Sequence, residues 1–361
     1  MTLTSRALDA VERGWVPDAL VRAGIRRLCA RRLREARRDR DAPAPAATAF
    51  LRSLREGPIA PRPEAANAQH YELPAELFEA MLGPRLKYSC CEFASTATTL
   101  PEAETAALDT TVRRARLADG QDVLELGCGW GSLTLWMAER YPRARITAVS
   151  NSATQRRYLL EQAGRRGCRN VDVVTADIND FAAADRAFDR VVSVEMFEHV
   201  RNHGRLLDRI AGWLRPSGKL FVHVFCHREL CYPFDTAGDD DWMGRHFFTG
   251  GMMPGVELLK RDHGPLRLQE HHQWNGNHYR RTAEAWLANL DARRDDVTAL
   301  FAQTFDRAEA RRRVRRWRMF LLAVAELFGY RGGAEWFVAH YLWERAAESD
   351  GSSPPIREDR E

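Results

Sequence analysis

Lysine is almost missing from this chain of 361 residues: Lys87, Lys219 and Lys260 are the only ones, and arginine carries the remaining positive charge. We read that skew as the codon bias of a GC-rich genome, not as recognition chemistry. An excess of one charge sign is missing too, with 54 Lys plus Arg against 50 Asp plus Glu, interspersed along the chain. A nucleic-acid surface needs a concentrated basic face, so no nucleic-acid partner is expected. The seven cysteines (Cys29, Cys90, Cys91, Cys128, Cys168, Cys226 and Cys231) include no CxxC pair. Their odd number and spacing argue against a zinc site or a disulfide framework, so no metal is expected and the thiols are read as reduced. Long apolar runs are absent: the longest, MFLLAVAELFGY, carries Glu326 and falls short of the roughly 18 residues of a membrane span. The opening residues, MTLTSRALDAVERGW, lack the apolar core of a secretory signal. These absences predict a soluble, cytoplasmic protein with no integral membrane segment.

What is present divides the chain into three parts. Residues 1–65 read as a helical N-terminal extension and linker: Leu20, Ile25 and Leu28 recur at helical spacing among arginines, and the Pro/Ala stretch DAPAPAATAF follows. A basic amphipathic helix can lie on an anionic membrane. The acids among these arginines favour instead a helix packed on protein, its own or that of a second subunit, so a homodimer is an option. Residues 66–345 form the main domain. From Leu117 onward, strands (QDVLEL, RITAVS, VDVVTAD, FDRVVSV, KLFVHVF) alternate with helices, including one from HGRLLDRIAGWL to Pro216 and Gly218. That alternation predicts a parallel sheet covered on both faces. LRLQEHHQW and EWFVAHYLWER add two last strands, with helices between them. The fold class is therefore α/β, Rossmann-like, with a mostly parallel seven-stranded sheet. Its core is 117–226, its C-terminal strands and helices are 265–345, and 227–264, dense in Gly, Pro and aromatics, is an inserted lid. The tail, 346–361, has a disordered composition.

In ELGCGWG, Gly127, Gly129 and Gly131 follow an apolar strand and precede a helix. Glycine allows the sharp turn and lets backbone amides approach a ligand. The GxGxG spacing is not the dinucleotide pattern GxGxxG. A pyrophosphate prefers bare amides at a helix start, whereas the acid Glu125 beside this turn suits an ammonium. S-adenosyl-L-methionine carries an amino group, a sulfonium and no phosphate, and is the cofactor expected. Further contacts belong to the carboxyl ends of the next strands. Asn151 and Gln155 are placed to hold the ribose, where many such folds use an acid. Asp177 is placed to accept from the adenine amino group, with Ile178 packing on the ring. Simple helix capping is the other reading of Asn151 and Gln155.

The fourth strand ends in VEMFEHV, with Glu195, Glu198 and His199 where an open α/β sheet faces its ligand. Burying such groups is costly unless they are paired or used. Capping the next turn and pairing with Arg201 is the plain explanation. The chemical one is a cationic acceptor. An amine at neutral pH is mostly protonated; carboxylates attract the ammonium, and an adjacent base must take its proton. On that reading Glu195 and Glu198 orient the amine, and His199, with an ordinary pKa of about 6.5, accepts the proton.

YSCC (Tyr88 to Cys91), LELGCGWGSL, SNSATQ, TADIND and VEMFEHV together resemble the cyclopropane fatty-acid synthase superfamily of adenosylmethionine-dependent methyltransferases. IAGWLRPSGKLFVHVFCH, DDDWMGRHFFTGGMMP, AEAWLANLD and AVAELFGYRGGAEWFVAHYL make it most similar to the coclaurine N-methyltransferase-like branch. The resemblance runs from about Ala66 to Leu342. It implies that Glu195, Glu198 and His199 line an amine pocket, that Tyr88 and Ser89 close over the cofactor, and that Asn151, Gln155, Asp177 and Ile178 contact the adenosine. It also implies an alternative. The lipid synthases of the superfamily methylenate an alkene of an unsaturated acyl chain and hold a bicarbonate base with a Cys, a Glu, a His and a Tyr. Those positions match Cys90, Glu198, His223 and Tyr279, although His223 and Tyr279 also belong to the N-methyltransferase pattern and His223 suits a core histidine equally. FFTGGMMP and Val324 depart from the lipid-synthase pattern. Trp242 and Phe248, with Tyr232 and Phe247, are lid aromatics suited to a flat amine or an acyl chain. The small amine is the acceptor favoured.

Overall fold

The computed structural model describes residues 3–40, 46–61, 73–234, 236, 238 and 241–347. Residues 41–45 of the expected linker, residues 62–72, parts of the lid and the tail from 348 onward lie outside the described residues; the rest of the Pro/Ala stretch is not a linker but opens the helix Ala46–Ser53.

Five strands form where the sequence predicts them: β1 (Asp122–Leu126), β2 (Arg145–Ser150), β3 (Val171–Thr175), β4 (Phe188–Val194) and β5 (Leu214–His227); helices follow β1, β2 and β4, whereas β3 leads to β4 without one. A two-residue ribbon, β6 (Tyr232–Pro233) with β7 (Met252–Met253), stands apart inside the lid. β8 (Leu266–Trp274) and β9 (Trp336–Arg345) complete the main sheet, whose order is β3-β2-β1-β4-β5-β9-β8. β9 runs antiparallel to both β5 and β8, while the other neighbours are parallel. Every residue of β1 is buried, as a central strand covered on both faces requires. The chain leaves β1 toward β2 and β3, then returns to lay β4 and β5 on the other side. Strand order therefore reverses between β1 and β4, where open α/β sheets bind ligands at the carboxyl edge.

Local chemistry ends and starts the helices. Ser152 accepts from Gln155 N to cap Ala153–Arg165, and Asn202 accepts from Arg205 N to cap His203–Trp213. The latter helix stops at Trp213 and not near Pro216 as expected; Leu214 is already extended and begins β5. A proline disfavours helical backbone at the residue before it and removes an amide donor.

The arginine-rich start packs on the chain's own C-terminal half. Asp18–Arg40 lies on the long helix Arg307–Gly329, burying Val21, Cys29 and Leu33 in the large apolar core. Arg22 reaches Glu284 at 2.6 Å and Glu326 at 3.0 Å, and Arg318 pairs with Asp18 and Asp291. Glu326, the charge that interrupts the longest apolar run, thus receives the N-terminal helix. No described helix is long and apolar enough to cross a membrane.

Candidate active site

A cavity of about 180 Å³ opens at the carboxyl ends of β1 to β4. On one side the strand–turn–helix of ELGCGWG forms its floor. Gly127, Gly129 and Gly131 all have left-handed backbone (φ of 81°, 53° and 82°). The three differ in what a side chain would meet. A Cβ on Gly127 would lie 2.9 Å from Met196, and one on Gly131 2.2 Å from Leu159, whereas one on Gly129 meets nothing within 4 Å. Gly127 and Gly131 therefore permit close packing, while Gly129 keeps open the space where a ligand approaches.

Glu125 lies fully buried beside this turn, and its Oε2 accepts from Thr134 Oγ1 at 2.6 Å. Burial pushes its carboxyl up to about 8. Across the cavity Ser150 Oγ donates to Gln155 Oε1 at 2.7 Å, leaving the buried Gln155 Nε2 without a hydrogen-bond partner among the described residues. Asp177 Oδ1 is braced by Asn179 N at 2.8 Å. Tyr88, Ser89, Asn151 and Ile178 complete this half of the lining.

The other half is built from the end of β4. Its ladder runs one residue further, Glu195 N donating to His223 O, and Glu195 itself is left-handed, with φ of 50°. That reversal, followed by the short helical turn Phe197–His199, brings Glu195, Glu198 and His199 to the same wall. The carboxylate of Glu195 is fully engaged. Cys90 N donates to Oε1 at 2.8 Å, His223 Nε2 lies 3.2 Å from the same oxygen, and Tyr279 OH donates to Oε2 at 2.6 Å. Burial acts to raise its pKa, but His223 and Lys87 outweigh that and hold it below the usual carboxylate value. Glu198 is the opposite case: 2% exposed, with no partner for Oε2 among the described residues, it is pushed well above the ordinary value by burial and by Glu195. Burial lowers His199 to about 4, so its imidazole is neutral at pH 7. Pairing with Arg201 is not the arrangement found: that guanidinium donates to the carbonyls of Gly250 and Gly251 in the lid.

Several expected residues stand elsewhere. Trp242 does not line the cavity; its Nε1 donates to Glu12 Oε1 at 3.0 Å and its ring packs on Phe247, fastening the lid to the N-terminal helix. A large amphipathic ring in a lid is as readily drawn into a core as toward a ligand. Cys90 and His223 sit behind Glu195, and Gly131 is not in the lining but packs against Leu159, while Phe248 and Tyr279 face the cavity. Sequence reasoning missed Lys87, a 3%-exposed cation donating to Ser89 Oγ and Cys90 O. Its place among only three lysines, beside YSCC, was the available signal. It also missed the aromatic walls Trp130, Trp286 and Phe320.

A family model described as mycolic acid cyclopropane synthetase matches residues 60–332. The (S)-coclaurine N-methyltransferase of Thalictrum flavum subsp. glaucum is 36% identical over 343 residues, covering 94% of this chain and 95% of that protein. The chain belongs to the cyclopropane synthase-like family of adenosylmethionine-dependent methyltransferases. This methyltransferase is also similar to the cyclopropane-fatty-acyl-phospholipid synthase of Escherichia coli (strain K12), at 30% identity over 66% of this chain and 60% of that protein. A crystal structure of coclaurine N-methyltransferase, bound to N-methylheliamine and SAH, matches it with a TM-score of 0.87 at 36% identity, over 94% of this chain and 98% of that one.

The residues present fit the donor this family uses. S-adenosyl-L-methionine supplies a methyl group on a cationic sulfur. The buried Glu125, with a single side-chain hydroxyl on its carboxylate, suits the donor's ammonium. The unpartnered Gln155 amide and the space over Gly129 suit its ribose and backbone.

Proposed function

We propose that this methyltransferase N-methylates a small aromatic or cyclic amine. The observation that carries this reading is the seating of Glu195. In lipid synthases the resemblance assigns a Cys, a Glu, a His and a Tyr to a bicarbonate base. Here Cys90, His223 and Tyr279 all converge on the side chain of Glu195, a carboxylate that the chain itself supplies. The donor set that would take bicarbonate is thus engaged, which supports the amine over the alkene.

The roles follow from the environments. Glu195 is a fixed negative charge. Glu198 has an oxygen with no hydrogen bond in a buried wall. An arriving ammonium favours its ionised form, the carboxyl proton leaving to solvent as the ligand enters, and pairs with it, which orients the nitrogen. His199, neutral and on the same wall, takes the proton. The freed lone pair would then form the new N–C bond in line with the donor's S–CH3 bond, which breaks and returns its electron pair to sulfur as a neutral thioether. Tyr88, Phe225, Phe248, Trp286, Phe320 and Val324 line the cavity, exclude water and suit a flat ring carrying a cation.

Incubation with labelled donor and a panel of tetrahydroisoquinolines and simple amines, beside unsaturated phospholipid vesicles with and without bicarbonate, tests the reading. Label is expected in amine. Label confined to lipid and dependent on bicarbonate overturns it. Glu198→Ala and His199→Ala are expected to keep donor affinity while turnover falls at least about tenfold; full turnover in either variant removes that residue from its role.

A further inference from the structure

Behind Glu195 the hydrogen bonds do not stop at His223. His223 Nδ1 lies 2.9 Å from His340 Nε2, its cross-strand partner in the β5–β9 pair, and His340 Nδ1 lies 2.5 Å from Arg114 Nη1. Arg114, at the end of the helix Leu100–Arg114, is half-buried and lies over the Trp274 ring. Both histidines are fully buried.

The chemistry of the end member sets the direction of the whole chain. A guanidinium only donates. His340 Nδ1 must therefore accept, and burial together with the neighbouring cationic groups holds this imidazole neutral. A neutral imidazole with one accepting nitrogen donates from the other, so His340 Nε2–H points to His223 Nδ1. By the same step His223 Nε2–H points to Glu195 Oε1. Two neutral rings thus carry the polarity of a half-buried cation to a carboxylate inside the sheet, with no second buried cation on the path.

We infer that Arg114 and His340 are positioning residues for methyl transfer: they lock the tautomer of His223 and so hold Glu195 ionised beside the amine. The inference rests on the proposed amine chemistry only for its activity readout. Around Glu195 the other titratable groups are Lys87, Cys90, Glu198, His199 and Tyr279; around the outer half they are Glu92, Arg113, Glu270 and His272. Lys87 acts through space on Glu195, His223 and His340 but is not hydrogen-bonded into the chain, whose direction is fixed at the inner end by Glu195, which only accepts, and at the outer end by Arg114, which only donates.

Two measurements test it. The first is neutron diffraction of the wild-type protein in heavy water, which needs no substrate. A deuteron is expected on Nε2 and none on Nδ1 of both His223 and His340; a deuteron on Nδ1 of His223 overturns the inference. The second compares Arg114→Leu, His340→Met and His340→Gln with an amine that the wild-type protein methylates. Glutamine can accept from Arg114 and donate to His223 at once, whereas methionine can do neither. In Arg114→Leu and His340→Met the acid limb of kcat/KM is expected to move up by at least about half a pH unit, an effect read against the energy scale of a pKa unit. Donor affinity should be unchanged, and His340→Gln should return the limb toward wild type. An unmoved limb in both breaking variants overturns the inference. If no amine in the panel is turned over, the amine reading fails alone and the deuteron positions still decide.

Discussion

At the scale of single residues, Glu125 illustrates how a buried acid can be a binding group in waiting. Burial removes the hydration of its carboxyl and pushes it up to about 8, against 4.5 for an ordinary glutamate. The folded group keeps a proton that the unfolded chain releases, so its contribution to stability is present below 4.5 and is lost as pH rises through 8. An ammonium ligand needs the ionised form, and binding must expel that proton. Affinity for adenosylhomocysteine is therefore expected to strengthen between pH 6 and 8, by up to about tenfold per pH unit, and to become flat in Glu125→Gln. Calorimetry across that range reads it; a flat wild-type profile contradicts the assignment. Glu125, Glu198 and His199 were all legible as unusual residues at strand ends. What the sequence could not disclose was the contrast between Glu195 and Glu198. Three donors brought from other segments satisfy the first, whereas the second keeps one buried oxygen, Oε2, without a partner among the described residues.

At the scale of elements, the glycine turn separates two jobs that one motif combines. Gly131→Ala places a methyl 2.2 Å from Leu159 in left-handed backbone, with overpacking of about 1–3 kcal/mol added to roughly 1–2 kcal/mol of backbone strain. A clear fall in melting temperature is expected. Gly129→Ala carries only the strain, since its methyl meets no protein atom within 4 Å, but it enters the ligand's space. Its donor affinity should fall far more than its stability. Melting curves and donor titrations of both variants check this; equal losses in both would mean that the two glycines do the same thing. The motif itself was plain from its order of apolar strand, glycines and helix. The boundary of β5 was not, because Pro216 ends one element while lying inside the next.

At the scale of the whole molecule, the N-terminal helices matter through their contacts with the C-terminal half. Arg22 and Arg318 join Asp18–Arg40 to helices hundreds of residues away, and Glu12 holds both Trp242 of the lid and Arg312. Removal of residues 1–65 exposes the apolar faces that Val21, Cys29 and Leu33 cover. A shortened chain beginning near Ala66 is expected to melt at lower temperature and to retain an unchanged oligomeric state. Gel filtration that shows the full chain as a dimer and the shortened chain as a monomer would make these helices a subunit contact as well.

The amino-acid order by itself determined the alternation of strands and helices, the placing of the glycine turn, and the acids and imidazole at the end of β4. Each depends on residues within a few positions of one another, where periodicity and turn chemistry act. Tertiary structure alone decided which groups meet. His223 reaches Glu195 across 28 positions, His340 reaches His223 across 117, and Arg114 reaches His340 across 226. Such meetings follow from strand register and helix packing, which are set by the burial of the whole core; the same packing drew Trp242 away from the cavity and brought Lys87 into the site.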